Sequence, residues 1–592
     1  MESSMQVSDL FSAVAVRRVT LLSSMVSVVL MSLSAQAAEP WVSTKTHAFK
    51  HFDWATPSAT TAIAGAASTA VSDVSATTAV PITLSLKLQN EAQLDKLVSY
   101  YLSGSARQYL TPAQFTQQFG PSQAQVDKVV SYLKKSGYTN ITVSPNHLLV
   151  TATGTAAHAN SAFNTKLKGF EKDGHHVFAN STDAQVPQSL GGIVETVLGL
   201  DTANVYRTFN HQVIATNAKP GSTTNATPAK VGHNPLDFAT IYDAASLPKA
   251  INTTAAVVMW GDGTGAVKDL GTYTTANGLG AVATSVVKTG SASDSYTLTD
   301  AEWDMDSQTI LGAAGGAIQK IIFYTSPDSP TNANVTNAMN RAVTDNLAKV
   351  IDGSFGECES GDTIAVNDAI FKQAITQGQT FSISSGDSGA FECNSGKPTS
   401  NYTVSSPAVS PYVIAVGGTA LYTTGTTAYS SEVVWNQGLS KGKLGATGGG
   451  YSKIEAAPAW QSGITASSTW RGLPDVGFDA DPNSGVKVYV NGVIQQWGGT
   501  SLAAPIFAGL WARLQSNNSN SLPFPAAAFY SYFSKSANAG LLHDVTSGNN
   551  GTSTYPGYTA VAGWDASTGF GSFDTAKLDA FLKQQTSIPT SF

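Results

Sequence analysis

Histidine is missing from the longest part of this chain. The nine histidines stand at 47, 51, 147, 158, 175, 176, 211, 233 and 543, so none falls between Asn234 and Leu542. A Ser-His-Asp triad inside that stretch would need His233 or His543 to reach in from its edge. Charge is scarce too: Asp, Glu, Lys and Arg make up 12% of the residues, against about 25% in typical globular chains. A surface carried by Ser, Thr, Asn and Gln suits acid, because few carboxylates lose a partner on protonation. With a net charge of -7 and no basic tract, a nucleic-acid partner is not expected. Cysteine is almost absent. Cys358 and Cys393 cannot form a disulfide framework, though in an exported chain they could pair; two buried thiols are the other reading.

Long apolar runs are lacking after residue 40. Before it, Arg17-Arg18, the run from Val19 to Leu33 and Ala35-Gln36-Ala37 make the three parts of a signal peptide. Residues 1–37 are expected to be removed, leaving a secreted, extracellular or periplasmic protein with no membrane contact. An uncleaved anchor is the alternative.

What is present divides into domains. Residues 38–80, rich in Ala, Thr and Ser, read as a poorly ordered leader. Over 81–206, a strand at Pro81–Leu88, helices at Glu91–Ser103 and Ser122–Ser136, short strands at Ile141–Val143 and Leu148–Ala152, and a helix at Ala156–Leu167 predict a small α+β domain. Residues 207–233 read as an exposed linker. From 234 to 592, strand patterns at Ala255–Met259, Ala317–Tyr324, Lys349–Ser354, Thr380–Ser385 and Val413–Val416 alternate with helix patterns at Ala301–Ala314, Val335–Leu347 and Ile364–Gln377. That order predicts an α/β domain with a mostly parallel, doubly wound sheet and a site at the strands' C-terminal ends. Charge divides at the same place. Residues 1–233 hold 16 basic and 13 acidic side chains, and the rest hold 17 and 27, so two oppositely charged modules could associate at neutral pH and loosen in acid.

Three segments carry chemistry. Gly498-Gly499-Thr500-Ser501 running into an apolar helix pattern from Pro505 to Leu514 places Ser501 at a helix N-terminus, where free N–H groups favour a nucleophile and its oxyanion; a simple N-cap is the alternative. In Thr299-Asp300-Ala301-Glu302-Trp303-Asp304-Met305-Asp306, Thr299 or Asp300 can cap a helix that puts Glu302 and Asp306 on one face. Two carboxyls so close share a proton, and a base could form there without histidine. In Ser384-Ser385-Gly386-Asp387-Ser388-Gly389, Asp387 ends a strand and, if protonated, could donate to an oxyanion.

Together these segments resemble the sedolisins, the serine-carboxyl peptidases with a subtilisin-like fold. Gly448-Gly449-Gly450-Tyr451-Ser452, Pro458-Ala459-Trp460-Gln461 and Arg471-Gly472-Leu473-Pro474-Asp475 are similar to that family's segments as well, and Tyr109-Leu110-Thr111-Pro112 is similar to its propeptide. The resemblance implies Ser501 as nucleophile, Glu302 as general base, Asp306 as its orienting partner and Asp387 as oxyanion donor. It also implies that Cys358 and Cys393 tie together the loops near Asp387, and that the propeptide inhibits the enzyme until it processes itself. The expected partners are that propeptide and protein or peptide substrates, with the enzyme a monomer. A calcium ion is implied too, held by side-chain oxygens of Asp544 and Asp565 and the carbonyls of Val545, Val561 and Gly563; hard oxygen donors suit Ca²⁺, and without the family these would read as Asx-turns. Gly498 departs from the family pattern, where many members have serine. A tripeptidyl-peptidase of the same family, and an inactive secreted binding protein on this fold, are the competing readings. A chymotrypsin-like reading of Gly386-Asp387-Ser388-Gly389 with His158 fails on the α/β pattern.

Overall fold

The computed structural model describes residues 39–49, 71–103, 108–172, 174–213, 227–291, 294–296, 301–394, 396–439 and 445–585. The expected signal peptide, and the expected caps Thr299 and Asp300, lie outside the described residues. No helix among the described residues is long and apolar enough to cross a membrane.

The small domain is built on strand β1 (Ala79–Leu86), followed by helices α1 (Glu91–Leu102) and α2 (Gln123–Lys135), then β2 (Thr139–Val143), β3 (Leu149–Thr155) and β4 (Val194–Leu198). Its antiparallel sheet runs β2-β3-β1-β4. Ser122 and Gln125 form a capping box that starts α2, whose Val126, Val129 and Leu133 are buried with the sheet's inner face. Helix α1 turns Leu94 and Val98 toward the second domain's core instead, and Asp95 there pairs with Lys372 at 2.7 Å.

Three sequence expectations need correcting. The helix expected over Ala156–Leu167 stops at Ala162, because Asn164 adopts a left-handed φ of 44° and the chain re-enters as a strand at Leu167–Lys172. The leader is not featureless. Trp41–Ser43 pairs with Gln185–Pro187, and Thr46 hydrogen-bonds Thr196 and Val197. Its threonine hydroxyls satisfy backbone partners, so a composition that reads as low complexity makes a strand three residues long. Nor do the ends of the 207–233 segment form an exposed linker. They hold β5 (Arg207–Thr208) and β6 (His211–Gln212), and Ala229 and His233 donate N–H groups to Thr423 and Gly485. Residues 214–226 lie outside the described residues.

In the second domain the chain runs β7 (Ala250–Trp260), β8 (Thr284–Lys288), α3 (Ala301–Ala313), β9 (Ile318–Ser326), α4 (Asn332–Asp345), β10 (Val350–Gly353), β11 (Phe355–Cys358), α5 (Gly361–Thr376), β12 (Thr380–Ser384), β13 (Ile414–Thr424), β14 (Ala428–Val434), β15 (Val476–Asp479), β16 (Val486–Val490), β17 (Val493–Gly498) and α6 (Thr500–Asn517). The large sheet has the order β8-β9-β7-β10-β12-β13-β14, with β15 also on β13. Every pairing in it is parallel except β13 with β14. This is the doubly wound, mostly parallel α/β sheet that the alternating pattern predicts.

Helix α6 is buried all round from Thr500 to Ser516, as expected for a helix with apolar residues on every face. It lies against β7, β10, β12, β13 and β15 on one side and α3 on another. Contact with α3 is close at Gly509, where a Cβ would sit 2.6 Å from both the Ala313 Cβ and the Ile310 carbonyl oxygen. Two helices that carry candidate catalytic groups are thereby held at a spacing only glycine permits.

Candidate active site

Ser501 is the second residue of α6, and Gly499 before it has φ 106°, a conformation that favours glycine. Pro505 shapes this helix start. It has no N–H to give the carbonyl four residues earlier, which belongs to Ser501, and the Ser354 hydroxyl donates to that carbonyl at 3.3 Å. In return Ser501 Oγ donates to the Ser354 carbonyl at 3.1 Å. The two serines clasp each other through two bonds, one from each side chain to the other's backbone.

Asp387 follows the end of β12. Its Oδ1 accepts from the N–H and hydroxyl of Thr500 at 2.8 and 2.7 Å, which sets the carboxyl beside the N-terminus of α6. Its Oδ2 pairs with His211 Nε2 at 2.9 Å. Burial pulls the His211 imidazole down, but the hydrogen bond and charge of Asp387 together outweigh it and hold the ring above its ordinary value. The histidine-poor stretch thus receives its histidine from the segment between the domains, placed on Asp387. His233 and His543 are engaged elsewhere: the first donates its Nδ1–H to the Thr426 carbonyl at 2.8 Å and is pushed down to about 4 by burial, and the second stacks on Tyr429.

Glu302 and Asp306 lie on α3 as the spacing predicts, both with no exposed surface. Trp303 between them packs edge-on against Trp260 with ring centroids 4.8 Å apart. A third carboxyl joins them from β10. Asp352 is fully buried, hydrogen-bonds Asp306 and accepts from Ser354 Oγ at 3.2 Å. Burial raises it well above the ordinary carboxylate range, while the hydrogen bonds with Ser354 and Asp306 oppose the rise, so the two carboxyls share a proton. Sequence reading missed both Asp352 and Ser354. Their signal was a buried-strand pattern ending in Asp-Gly-Ser, where apolar residues are the rule.

Cys358 and Cys393 are joined by a disulfide, fastening the end of β11 to the turn that carries Glu392. The Glu392 carboxyl accepts the Ser388 N–H at 2.7 Å and fills the space a Cβ on Gly386 would take, which moulds the Asp387 turn. Both Glu392 and Glu357, which stand half-buried in the cleft wall, are pushed up to about 8, chiefly by burial. Deeper in, burial also raises Asp479 and Glu432. A carboxyl raised on folding binds more protons in the native than in the unfolded state between about pH 4.3 and its folded value, so stability is full below that window and falls as pH climbs through it. The Ser501→Ala precursor, which cannot cut itself in acid, is expected to melt several degrees higher at pH 5 than at pH 8, measured by calorimetry; a higher melting temperature at pH 8 would refute this assignment.

The C-terminal turns that carry Asp544 and Asp565 are joined by hydrogen bonds. Gly563 N–H donates to Asp544 Oδ2 at 2.8 Å, and Val561 N–H approaches Asp565 Oδ2 at 3.4 Å. Asp565 Oδ1 accepts from Ser567 and Thr568. Burial raises both carboxyls, and what opposes it at each is hydrogen bonding from neutral donors. Two partly desolvated carboxylates in adjacent turns offer oxygen donors of the kind a hard cation takes.

A peptide already lies across this centre. Ser501 N–H donates to the Phe209 carbonyl oxygen at 3.1 Å, and Phe209 N–H donates to Ser501 Oγ at 3.0 Å. The site therefore has a hydroxyl at a helix N-terminus, an amide on a peptide carbonyl, and a carboxyl flanking both, which is the apparatus of acyl transfer.

Comparison with known proteins agrees. Residues 66–203 match the family described as Pro-kumamolisin, activation domain, and residues 278–571 match the Subtilase family. The chain is 50% identical over 516 residues to sedolisin of Pseudomonas sp. (strain 101), covering 85% of this chain and 87% of that one. It is 43% identical over 631 residues to xanthomonalisin of Xanthomonas sp. (strain T-22), covering 95% and 75%. Among solved structures, Pseudomonas sedolisin, a serine-carboxyl proteinase complexed with two molecules of pseudo-iodotyrostatin, matches with a TM-score of 0.58 and 52% identity, over 60% of this chain and 99% of that one.

Proposed function

The chain belongs to the sedolisin family of serine-carboxyl peptidases, and from that premise we propose that it is a secreted, acid-active endopeptidase made as a self-processing proenzyme. It is a serine-type peptidase on a subtilisin-like fold, with an activation domain ahead of it. In the proposed reaction Ser501 attacks the peptide carbonyl while Glu302 takes its proton, Asp306 orients Glu302, and protonated Asp387 donates to the oxyanion beside the Ser501 N–H. The observation that carries this reading is the Ser501 amide bonded to the Phe209 carbonyl at 3.1 Å, with the N–H of the same Phe209 donating to Ser501 Oγ at 3.0 Å. Digestion of denatured protein in acid by the processed chain tests it. A folded, processed chain that releases no peptides would leave a binding protein on this fold.

An endopeptidase is favoured over a tripeptidyl-peptidase by the run of chain in the cleft. On the N-terminal side of Phe209 it continues past three residues, with Tyr206 N–H on Pro330 O and Val205 bridged to Thr331. A tripeptidyl-peptidase needs a wall there that receives a free amino terminus.

Asp544 and Asp565, with the carbonyls of Val545, Val561 and Gly563, would hold one calcium ion. Bound there it would neutralise two carboxylates and join the turns, and it would take no part in the reaction at Ser501. A ligand held only by the native state stabilises by about 2.7 kcal/mol at 100 times its Kd. A chelator is therefore expected to lower the melting temperature of the processed enzyme by several degrees, with calcium restoring it; an unchanged melting curve would remove the ion from this account.

A further inference from the structure

The segment between the domains is laid in the cleft in a register that singles out one peptide bond. On one side Arg207 and Thr208 pair antiparallel with Gly356 and Phe355. On the other, His211 and Gln212 pair antiparallel with Gly498 and Trp497, and Val213 N–H donates to Gln496 O. Between these two pairings the chain crosses Ser501, and the carbonyl it presents to the helix N-terminus is that of Phe209. A Cβ on Gly499 would come within 2.0 Å of that oxygen and 2.6 Å of Asp387 Oδ2, so glycine there is what lets carbonyl and carboxyl share one stretch of backbone. The Phe209 ring is buried over Gly356, where a Cβ would lie 2.7 Å from its edge. Residues on both sides of a single bond are thus held extended, its carbonyl is bonded by the oxyanion amide, and its side chain is seated in a slot cleared by a glycine. These are the conditions under which an intramolecular acyl transfer is fast.

We propose that Phe209–Asn210 is the first bond this enzyme cuts, and that it cuts it within its own chain. The inference rests on the peptidase reading above and gives that site its first substrate: an extended peptide with an aromatic residue on the acyl side. Ser501 Oγ adds to the Phe209 carbonyl carbon as its proton passes to Glu302, and the charge forms on the oxygen already held by the Ser501 N–H. The carbon–nitrogen bond to Asn210 then breaks, and the Asn210 nitrogen takes the proton from Glu302 to become the new amino terminus. Water hydrolyses the Phe209–Ser501 ester, which frees Phe209 as the carboxyl terminus of the departing N-terminal part and restores the serine.

The experiment moves purified full-length protein from neutral to acid buffer over a wide range of dilution, with denatured protein added in parallel. Samples are read by intact mass and amino-terminal sequencing. Asn210 is expected as the earliest new terminus, at a rate independent of dilution. Replacing the ring with a charge in Phe209→Asp is expected to slow that cut at least about tenfold, the scale on which an apolar pocket discriminates; the same substitution in a Ser501→Ala background checks by its melting curve that the precursor still folds. An earliest terminus elsewhere, with Phe209–Asn210 intact while the added protein is digested, overturns the bond assignment and leaves the peptidase standing. A rate proportional to concentration overturns the cut within one chain. Failure to digest either the linker or the added protein overturns both readings.

Discussion

Ser501→Ala is expected to give a folded precursor that never processes itself and whose activity on denatured protein is lower by several orders of magnitude. The substitution deletes the Oγ atom that lies 3.0 Å from the Phe209 nitrogen and 3.1 Å from the Ser354 carbonyl. It leaves the Ser501 amide on the Phe209 oxygen and Asp387 on Thr500. Fold should survive, since alanine is a good helix former and the lost hydrogen bonds are worth about 1 kcal/mol each. Chemistry should not, because removing the nucleophile of a serine peptidase costs roughly 10⁶ in rate. Intact mass after prolonged acid incubation, beside a peptide-release assay, reads both consequences. Self-processing at the wild-type rate would falsify the assignment of Ser501.

The second large effect concerns Asp387. A carboxyl can donate to an oxyanion only while it carries a proton, and once ionised it repels the same charge. Glu302, by contrast, must be free to accept one. Requirements of opposite sign on two carboxyls make the rate bell-shaped with its maximum in acid. Asp387→Ala is expected to cost about 10² to 10³ in kcat, the usual loss for one oxyanion donor. Asp387→Asn keeps a donor that cannot ionise, so it should retain more activity than the alanine variant and lose less of it toward neutral pH than the wild type does. The measurement belongs on processed enzyme, because in the precursor Asp387 Oδ2 is occupied by His211 and activation would be confounded with catalysis. A wild-type optimum above pH 7 would sink this mechanism.

How much of this was legible in the residues alone depends on how local each signal is. Glu302 and Asp306 are one helical turn apart, and Ser501 sits at the junction of a glycine turn and an apolar helix; short-range spacing carries both, and the structure places each on the helix expected. The sheet strands announced themselves because burial on both faces makes them continuously apolar, as in β7 and β13. Strand β8 and the helix Thr264–Ala276 went unread, since Gly, Thr and Lys interrupt their patterns. The segment around Phe209 was misread for a different reason. Two-residue strands have no periodicity, and their partners at 355–356 and 497–498 lie far along the chain. Asp352 is of the same kind: its meaning comes from Asp306, which only tertiary packing brings to it.

The reciprocal clasp between Ser501 and Ser354 also bears on motion. A helix ordinarily loosens first at its ends, where backbone groups lack partners within the helix and opening costs least. In α6 that end is stitched by two hydrogen bonds to Ser354, the residue just after β10 of the central sheet, and one of them exists because Pro505 left the Ser501 carbonyl open. Fraying of this first turn therefore requires the chain just beyond β10 to open with it, and the most exchange-prone position of an ordinary helix becomes, in this one, part of the slowest-opening core.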